Sequence, residues 1–212
     1  MGVRTLSQPA AVFLDRDGVI NRNVMNPFTF AWEAPLTVES FVLAHNALLA
    51  LGDLRKAGFL LFLVSNQPNY AKAKASLETI ESIHHRLLDL LDQQRIEFAA
   101  FYYCLHHPQG VVPSHCGPCS CRKPSPFFLL QARDQFGLDM ERSWMVGDRP
   151  SDIACGQAAG VHTIRVRNQE EGAAVDGDEA GAEFQVDSLE AAAMIILERS
   201  AAVTASGLQS DM

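Results

Sequence analysis

The chain has 212 residues, of which 48% are hydrophobic and 20% are charged, and its formal net charge at pH 7 is -8. These values are typical of one soluble globular domain with its own core, and an acidic chain without a basic stripe argues against a nucleic-acid partner. The sequence contains no run of about 18 apolar residues that could span a membrane, and residues 1–9 lack the apolar stretch of a secretory signal. We therefore expect a cytoplasmic protein, and we also expect it to be a monomer.

Apolar runs alternate along the chain with segments of helical periodicity. Strands are predicted at residues 10–14, 59–64, 97–103, 143–146, 161–166 and 184–186. Helices are predicted at residues 39–57, 76–94, 126–136, 151–159 and 189–199. This alternation predicts an α/β fold with right-handed crossovers. We expect one domain over residues 1–199, with an acidic loop at 168–183, and a flexible C-terminal tail over residues 200–212.

Two carboxylates, Asp15 and Asp17, directly follow the first predicted strand, and Gly18 comes next. Parallel sheets bind ligands beyond the carboxyl ends of their strands, and side chains two residues apart point the same way. The two acids could therefore share a Mg²⁺ site, where one attacks a phosphorus atom and the other transfers a proton. The alternative interpretation of Asp-x-Asp-Gly is an ordinary solvated turn.

Two later motifs are suited to an anion. Ser65 and Asn66 follow the second predicted strand, where a hydroxyl, an amide and backbone N–H groups can hold phosphate oxygens. Arg122 and Lys123 precede the third predicted helix, at a position suited to an anion docked at the helix N-terminus. Each motif also has a simpler interpretation, as a polar loop and as a solvated charge pair.

Two more acids, Asp148 and Asp152, follow the strand at 143–146. Asp148 could be a third carboxylate for Mg²⁺. Asp152 could orient this loop, and either Ser151 or Asp152 could act as the N-cap of the next helix.

Four of the five cysteines lie between residues 104 and 121, beside histidines. In a chain that we expect to stay in the cytoplasm, this clustering favours a metal site over disulfides. Cys104, His106, Cys119 and Cys121 supply one nitrogen and three sulfurs, which is a closed tetrahedral set suited to structural Zn²⁺. Binding would order the loop and place the following basic residues. An alternative set uses Cys116 in place of Cys119 or Cys121.

The order Asp-x-Asp-Gly, Ser-Asn, Lys and Gly-Asp-x-x-x-Asp resembles that of the haloacid dehalogenase phosphatase superfamily, over residues 10–166. This resemblance implies a Rossmann-like parallel sheet with helices on both faces, here with an inserted zinc-binding loop at about residues 104–121. It also implies Mg²⁺-dependent hydrolysis of a phosphomonoester through an aspartyl-phosphate intermediate.

The same resemblance implies roles for individual residues. Asp15 is the implied nucleophile, and Asp17 the implied general acid and then base. The implied Mg²⁺ ligands are Asp15, Asp17 through its backbone carbonyl, and Asp148. Ser65 and Lys123 would hold the transferring phosphoryl group. Substrate contacts are expected from these two residues and from their neighbours, Asn66 and Arg122.

The zinc loop narrows the resemblance to the phosphatases that remove the 7-phosphate of D-glycero-D-manno-heptose 1,7-bisphosphate. The segments at 15–21, 102–104, 106–110, 121–124 and 145–148 carry it, and a sugar phosphate is the implied substrate. The chain departs from the usual pattern at residues 22–27 and 68–69. The related histidinol-phosphate phosphatases share such a loop, so histidinol phosphate or another small phosphomonoester is an alternative substrate. A catalytically inactive, zinc-stabilised interaction module is an alternative of another class.

Overall fold

The structure is a computed structural model that describes residues 8–28, 30–167 and 181–209. The strands are β1 Ala11–Leu14, β2 Val24–Met25, β3 Trp32–Glu33, β4 Leu60–Asn66, β5 Ala100–Cys104, β6 Trp144–Gly147, β7 His162–Val166 and β8 Phe184–Val186. The helices are α1 Ala47–Lys56, α2 Leu77–Gln93, α3 Phe127–Phe136, α4 Pro150–Ala159 and α5 Leu189–Gln209. The predicted acidic loop lies outside the described residues except for residues 181–183.

Six of these strands form one parallel sheet in the order β5-β4-β1-β6-β7-β8. The first strand of the chain is therefore central, with β4 on one side and β6 on the other. The two short strands β2 and β3 form a separate antiparallel hairpin that follows β1. Because parallel strands end at the same edge of the sheet, the segments that follow β1, β4 and β6 meet there. The predicted parallel α/β sheet is confirmed.

Helices cover both faces of this sheet, as predicted. Successive β1 side chains alternate between the faces, since strand side chains have a period of two. Val12 and Leu14 belong to one core cluster, which includes buried side chains of α1, α2 and α5. Ala11 and Phe13 belong to the other cluster, with buried side chains of α3 and α4. Both faces of β1 are thus buried, and its carboxyl end opens towards the cleft described below.

Two predicted helices have different bounds in the structure. The helix predicted at 39–57 begins only at Ala47, because Asn46 adopts a left-handed backbone conformation with φ of 54° that a continuous helix does not allow. The last helix does not end at 199 but continues to Gln209, although this extension contains Gly207 and the β-branched Val203 and Thr204, which have low helix propensity. The flexibility of residues 200–212 stays a prediction. None of the helices in the described part of the chain has the length and apolar character that a membrane span requires.

Candidate active site

A buried ammonium group joins two carboxylates at the carboxyl edge of the sheet. The Lys123 Nζ atom lies 2.8 Å from Asp15 Oδ1 and 2.7 Å from Asp152 Oδ1. It also donates to the backbone carbonyl of Val64, at 2.6 Å. Burial alone would lower the pKa of Lys123, but the two carboxylates together raise it above its ordinary value. The side chain, with only 3% of the residue exposed, is therefore held as a cation.

Asp15 is the first residue after β1, and its backbone N–H donates to the carbonyl of Val146 in the neighbouring strand at 2.9 Å. Burial raises the pKa of Asp15 to about 6, and Asp152 and Asp17 act in the same direction, while Lys123 lowers it. The site therefore favours further positive charge beside this carboxylate, as a metal ion or as a cationic side chain.

Three carboxylates could hold a metal ion at this edge. Oxygen atoms of Asp15, Asp148 and Asp152 all lie within 4.8 Å of one another, and Mg²⁺ prefers hard oxygen donors of this kind. Gly18 has a φ of 81°, and a Cβ atom there would lie 2.3 Å from Asp148 Oδ2, so only glycine leaves room for this carboxylate. The predicted ligand atom of Asp17 is its backbone carbonyl oxygen, so Asp17 is not a member of this set of side-chain ligands.

Asp152 has two structural roles. One of its oxygens accepts the backbone N–H of Arg149 at 3.0 Å, which caps the N-terminus of α4, and the other pairs with Lys123. A Cβ atom at Gly147 would lie 2.1 Å from the Cβ of Asp152, so the preceding strand can approach only with glycine there. Sequence reasoning suggested the cap but missed the partnership with Lys123. Its signal was the second acid in the Gly-Asp-x-x-x-Asp motif.

The predicted phosphate-binding pair at the end of β4 has distinct contacts. The Ser65 side chain is buried, and its Oγ accepts from Gln67 Nε2 at 2.9 Å. Asn66 accepts the backbone N–H of Lys123 and donates to its carbonyl, both at 3.1 Å. This two-way contact fixes the Lys123 segment to the end of the strand. Asn66 lines the cleft, whereas Ser65 is not among the described residues that line it.

Asp17 also faces the cleft, and its carboxylate is bound by buried donors of three residues. Asn21 donates to its Oδ1 at 3.0 Å, while Arg16 and Gln67 contact both sides of the group. Sequence reasoning assigned no role to Arg16 or Gln67. A signal for Arg16 was present, because a cation two residues after a wholly apolar strand needs a partner if it is buried.

The carboxylates open into a cleft of about 290 Å³ with a basic rim. Besides Lys123, the basic side chains that line it are Lys72, Lys74, Arg122 and Arg149. Lys74 pairs with both oxygens of Glu33 from β3, at 2.8 and 2.9 Å. Arg122 is held at one end, where its Nη1 donates to the carbonyl of His106 at 3.3 Å. In a chain of net charge -8, this local concentration of cations suits an anionic ligand.

The four predicted zinc ligands come together in the loop after β5. Ligand atoms of Cys104, His106, Cys119 and Cys121 lie within 4.8 Å of one another. The three sulfurs are 3.3, 3.6 and 3.7 Å apart, and His106 Nδ1 is 3.8 Å from Cys121 Sγ. Zn–S bonds of about 2.3 Å in a tetrahedron imply sulfur separations of about 3.8 Å. The donor set therefore fits Zn²⁺.

The spare residues of this loop lie outside the set. Cys116 is exposed, and its sulfur is 4.0 Å from the carbonyl of Pro108. The His107 ring accepts the backbone N–H of Gln109 at 3.0 Å, while the His115 ring stacks on His106 at 4.9 Å. The geometry thus favours Cys119 and Cys121 over the alternative with Cys116.

Known proteins resemble this chain over most of its length. Residues 120–192 match the HAD-hydrolase-like family. The chain is 37% identical to the D-glycero-beta-D-manno-heptose-1,7-bisphosphate 7-phosphatase of Escherichia coli K12, over 72% of this chain and 76% of that one. It is 32% identical to the enzyme of the same name from Yersinia pestis, over 87% and 93% of the two chains.

A solved structure has the same fold. It is the D,D-heptose 1,7-bisphosphate phosphatase of B. bronchiseptica, complexed with magnesium and phosphate, with a TM-score of 0.72 and 24% identity. The match covers 90% of this chain and 99% of that one. Because the chain is also 37% identical to a curated enzyme over 72% of its length, it belongs to the haloacid dehalogenase-like phosphatases. Within them, it falls in the group of phosphomonoester hydrolases that contains the heptose-1,7-bisphosphate 7-phosphatases.

Proposed function

We propose that the protein removes the 7-phosphate of D-glycero-D-manno-heptose 1,7-bisphosphate. The observation that carries this proposal is the Asp15–Lys123 pair, 2.8 Å apart, at the base of a cleft with a basic rim. A carboxylate beside a fixed cation suits nucleophilic attack on a phosphate, and the additional cations suit a substrate with a second phosphate. The names of the relatives support this choice of substrate.

In the first proposed step, Asp15 attacks the phosphorus of the 7-phosphate, and the bond from phosphorus to the sugar oxygen breaks. Asp17 gives its proton to that oxygen, so the sugar leaves as an alcohol. In the second step, Asp17 takes a proton from a water molecule, whose oxygen attacks the phosphorus of the aspartyl phosphate. The bond to Asp15 breaks, inorganic phosphate leaves, and both carboxyl groups return to their starting forms.

Lys123 and Ser65 are proposed to donate to oxygens of the transferring phosphoryl group. The three N–H bonds of Lys123 already face Asp15, Asp152 and the carbonyl of Val64. An ammonium group has three donors, so an arriving phosphoryl oxygen must replace one of these contacts. The contact to Asp15 is the one to be replaced, because Asp15 itself turns to the phosphorus.

Mg²⁺ is proposed to bind Asp15, Asp148 and the backbone carbonyl of Asp17, with Asp152 close by. When bound, the ion neutralises charge on the phosphoryl oxygens. Zn²⁺ is proposed to have a structural role in the Cys104, His106, Cys119 and Cys121 set. By holding that loop, it would fix the segment that carries Lys123 and Arg122.

Arg122 is proposed to recognise the part of the substrate that does not react. It lines the cleft, and its bond to the carbonyl of His106 fixes one end of its guanidinium group. A planar guanidinium suits a second phosphate or a sugar hydroxyl. Histidinol phosphate offers an ammonium and an imidazole at this end instead, which a cation does not favour.

We also propose that residues 1–199 act as a single phosphatase domain. The sheet and its two core clusters draw on elements from β1 to α5, which supports one folding unit. The working form is proposed to be a cytoplasmic monomer, for which light scattering on the purified protein tests the oligomeric state.

A side-by-side turnover assay with Mg²⁺ tests the proposed function. The substrates are heptose 1,7-bisphosphate and histidinol phosphate, and Asp15→Asn is the control for a contaminating phosphatase. We expect a higher kcat/KM for the heptose bisphosphate, with release of only one of its two phosphates. Better turnover of histidinol phosphate would overturn the choice of substrate. Turnover of neither, in protein that binds zinc and is folded, would favour the interaction module.

A further inference from the structure

Arg16 is a buried cation without a role in the mechanism above. It lies between the proposed nucleophile and the proposed acid, and its side chain is the largest of the fully buried ones among the described residues. Only 1% of the residue is exposed. Burying an ionised group is unfavourable unless it is paired and hydrogen-bonded. Its contacts therefore indicate what it contributes at this position.

The Arg16 guanidinium makes most of its contacts with Asp17. Its Nε and Nη2 atoms lie 3.1 and 3.0 Å from Asp17 Oδ1, and Nη2 is also 3.1 Å from Oδ2. The same Nη2 donates to Gln67 Oε1 at 3.1 Å. Below the guanidinium, the ring of Tyr103 lies 5.9 Å away in a cation–π contact.

Gln67 completes the arrangement from the other side. Its Nε2 atom donates to Asp17 Oδ2 at 2.5 Å and to Ser65 Oγ at 2.9 Å. One amide group thus connects the proposed acid to the proposed phosphate-binding hydroxyl. Because Gln67 is as deeply buried as Arg16, water cannot replace these contacts.

We propose that Arg16 and Gln67 are positioning residues, which hold the Asp17 carboxyl group in line with the leaving oxygen of the substrate. The inference rests on the proposed function, because it takes Asp17 as the acid. Arg16 and Asn21 direct three N–H bonds to Oδ1, whereas Oδ2 accepts two, from Arg16 and Gln67. Oδ2 therefore takes up and releases the proton with the smaller loss of hydrogen bonds. Gln67 fixes this oxygen relative to Ser65, and hence relative to the bound phosphate. Without these hydrogen bonds, the Asp17 side chain could rotate about its torsions, and small misplacements of reacting groups slow catalysis strongly.

The test compares two leaving groups. A sugar alkoxide needs a proton to leave, whereas p-nitrophenolate leaves as a stable anion without one. The quantity compared is kcat/KM, because it covers the steps up to the departure of the leaving group and is insensitive to later hydrolysis of the aspartyl phosphate. The substrates are heptose 1,7-bisphosphate and p-nitrophenyl phosphate.

Two variants remove the contacts with little change in size. Arg16→Lys keeps the charge but loses the planar fork, and Gln67→Leu loses the amide. Each is expected to lower kcat/KM for the heptose bisphosphate by about tenfold or more, and for p-nitrophenyl phosphate by less than about threefold. The matched control is Arg133→Lys, because Arg133 also pairs with the next residue, Asp134, at 2.7 Å, but at an exposed position outside the cleft. The control should change neither value.

Asp17→Asn separates the possible failures. If the wild type hydrolyses neither substrate, the proposed function fails. If Asp17→Asn slows both substrates equally, Asp17 is not the leaving-group acid, and the inference falls with that part of the mechanism. If Asp17→Asn is selective but Arg16→Lys and Gln67→Leu are not, the inference alone is overturned. Thermal melts check folding: one folded variant suffices for the comparison, and loss of folding in both indicates a structural role and overturns the inference.

Discussion

The reaction centre and the recognition side of the cleft are built differently. The side chains proposed for chemistry lie at the ends of central parallel strands or are held against them. They are buried, and each has several partners, as for Lys123 with its three acceptors. The proposed recognition side is formed by Arg122, by the β2–β3 hairpin and by the loop after β4. The hairpin that borders it has exposed side chains, of which Phe28 is 91% and Phe30 78% exposed.

This difference predicts different consequences of substitution. A change at a buried group that contacts the transferring phosphoryl group, such as Asp15 or Lys123, should affect every substrate, because all phosphomonoesters present the same reacting group. A buried change that acts through Asp17 should affect only substrates whose leaving group needs a proton. A change on the rim removes one contact and should affect only substrates that reach it. The effect on stability should differ in the same way, since substitutions at exposed positions with few partners rarely destabilise a fold.

The largest effect is expected for Asp15→Asn. The amide cannot act as the nucleophile, so turnover should fall by a factor on the order of 10³ or more on every substrate. Steady-state kinetics on heptose bisphosphate and p-nitrophenyl phosphate measure this loss, and a thermal melt checks the fold. A variant that keeps more than about a tenth of the wild-type rate would show that Asp15 is not the nucleophile.

Lys123→Met should lower kcat by about a hundredfold on both substrates, because a fixed cation near the transferring group is lost. The effect should also be structural. Without the ammonium, Asp15 and Asp152 are buried carboxylates without their shared cation, and breaking such a pair typically costs about 3–5 kcal/mol. Urea denaturation gives the free energy of unfolding. A normal kcat for either substrate would contradict the proposed contact with the phosphoryl group.

Cys121→Ser tests the proposed zinc loop and its proposed support of this centre. Removing one thiolate opens the tetrahedral set, so zinc content should fall and Tm should drop by at least about 4 °C, at roughly 2–4 °C per kcal/mol for a domain of this size. The matched control is Cys116→Ser in the same loop, whose sulfur lies outside the set. Elemental analysis of reduced, chelator-free protein supplies the measurement. Zinc-free wild-type protein, or equal zinc loss in both variants, would refute the assignment of ligands.

Much of the centre could be predicted from sequence because it follows apolar strands. Asp15, Ser65 and Asp148 each come at the end of such a run, and parallel strands bring these ends together. The cluster of three cysteines and one histidine in the loop after β5 could be predicted from the residue types and their spacing. These signals are local in the sequence, and the parallel order of the strands brings the residues together in one site.

The missed contacts depend on tertiary geometry. Gln67 lies 50 residues from Asp17, and their hydrogen bond depends on the register in which β4 pairs with β1. The pairing of Asp152 with Lys123 likewise depends on how closely α4 approaches the end of β6. The start of α1 was predicted too early because apolar spacing carries no information on the left-handed conformation of Asn46.

The smallest effect, and the sharpest test of the comparison, is expected for Arg122→Ala. Arg122 is adjacent to Lys123 in the chain, but it faces the cleft and is only partly buried. KM for heptose bisphosphate should rise by roughly tenfold, equivalent to about 1.4 kcal/mol, because the contact to the non-reacting end is lost. Kinetics on p-nitrophenyl phosphate should change much less. Arg142→Ala is the matched control, since that arginine is exposed outside the cleft and pairs only loosely with Asp139, at 3.9 Å. Equal losses on both substrates would assign Arg122 to the reaction centre and remove the distinction between two neighbouring residues on which the comparison depends.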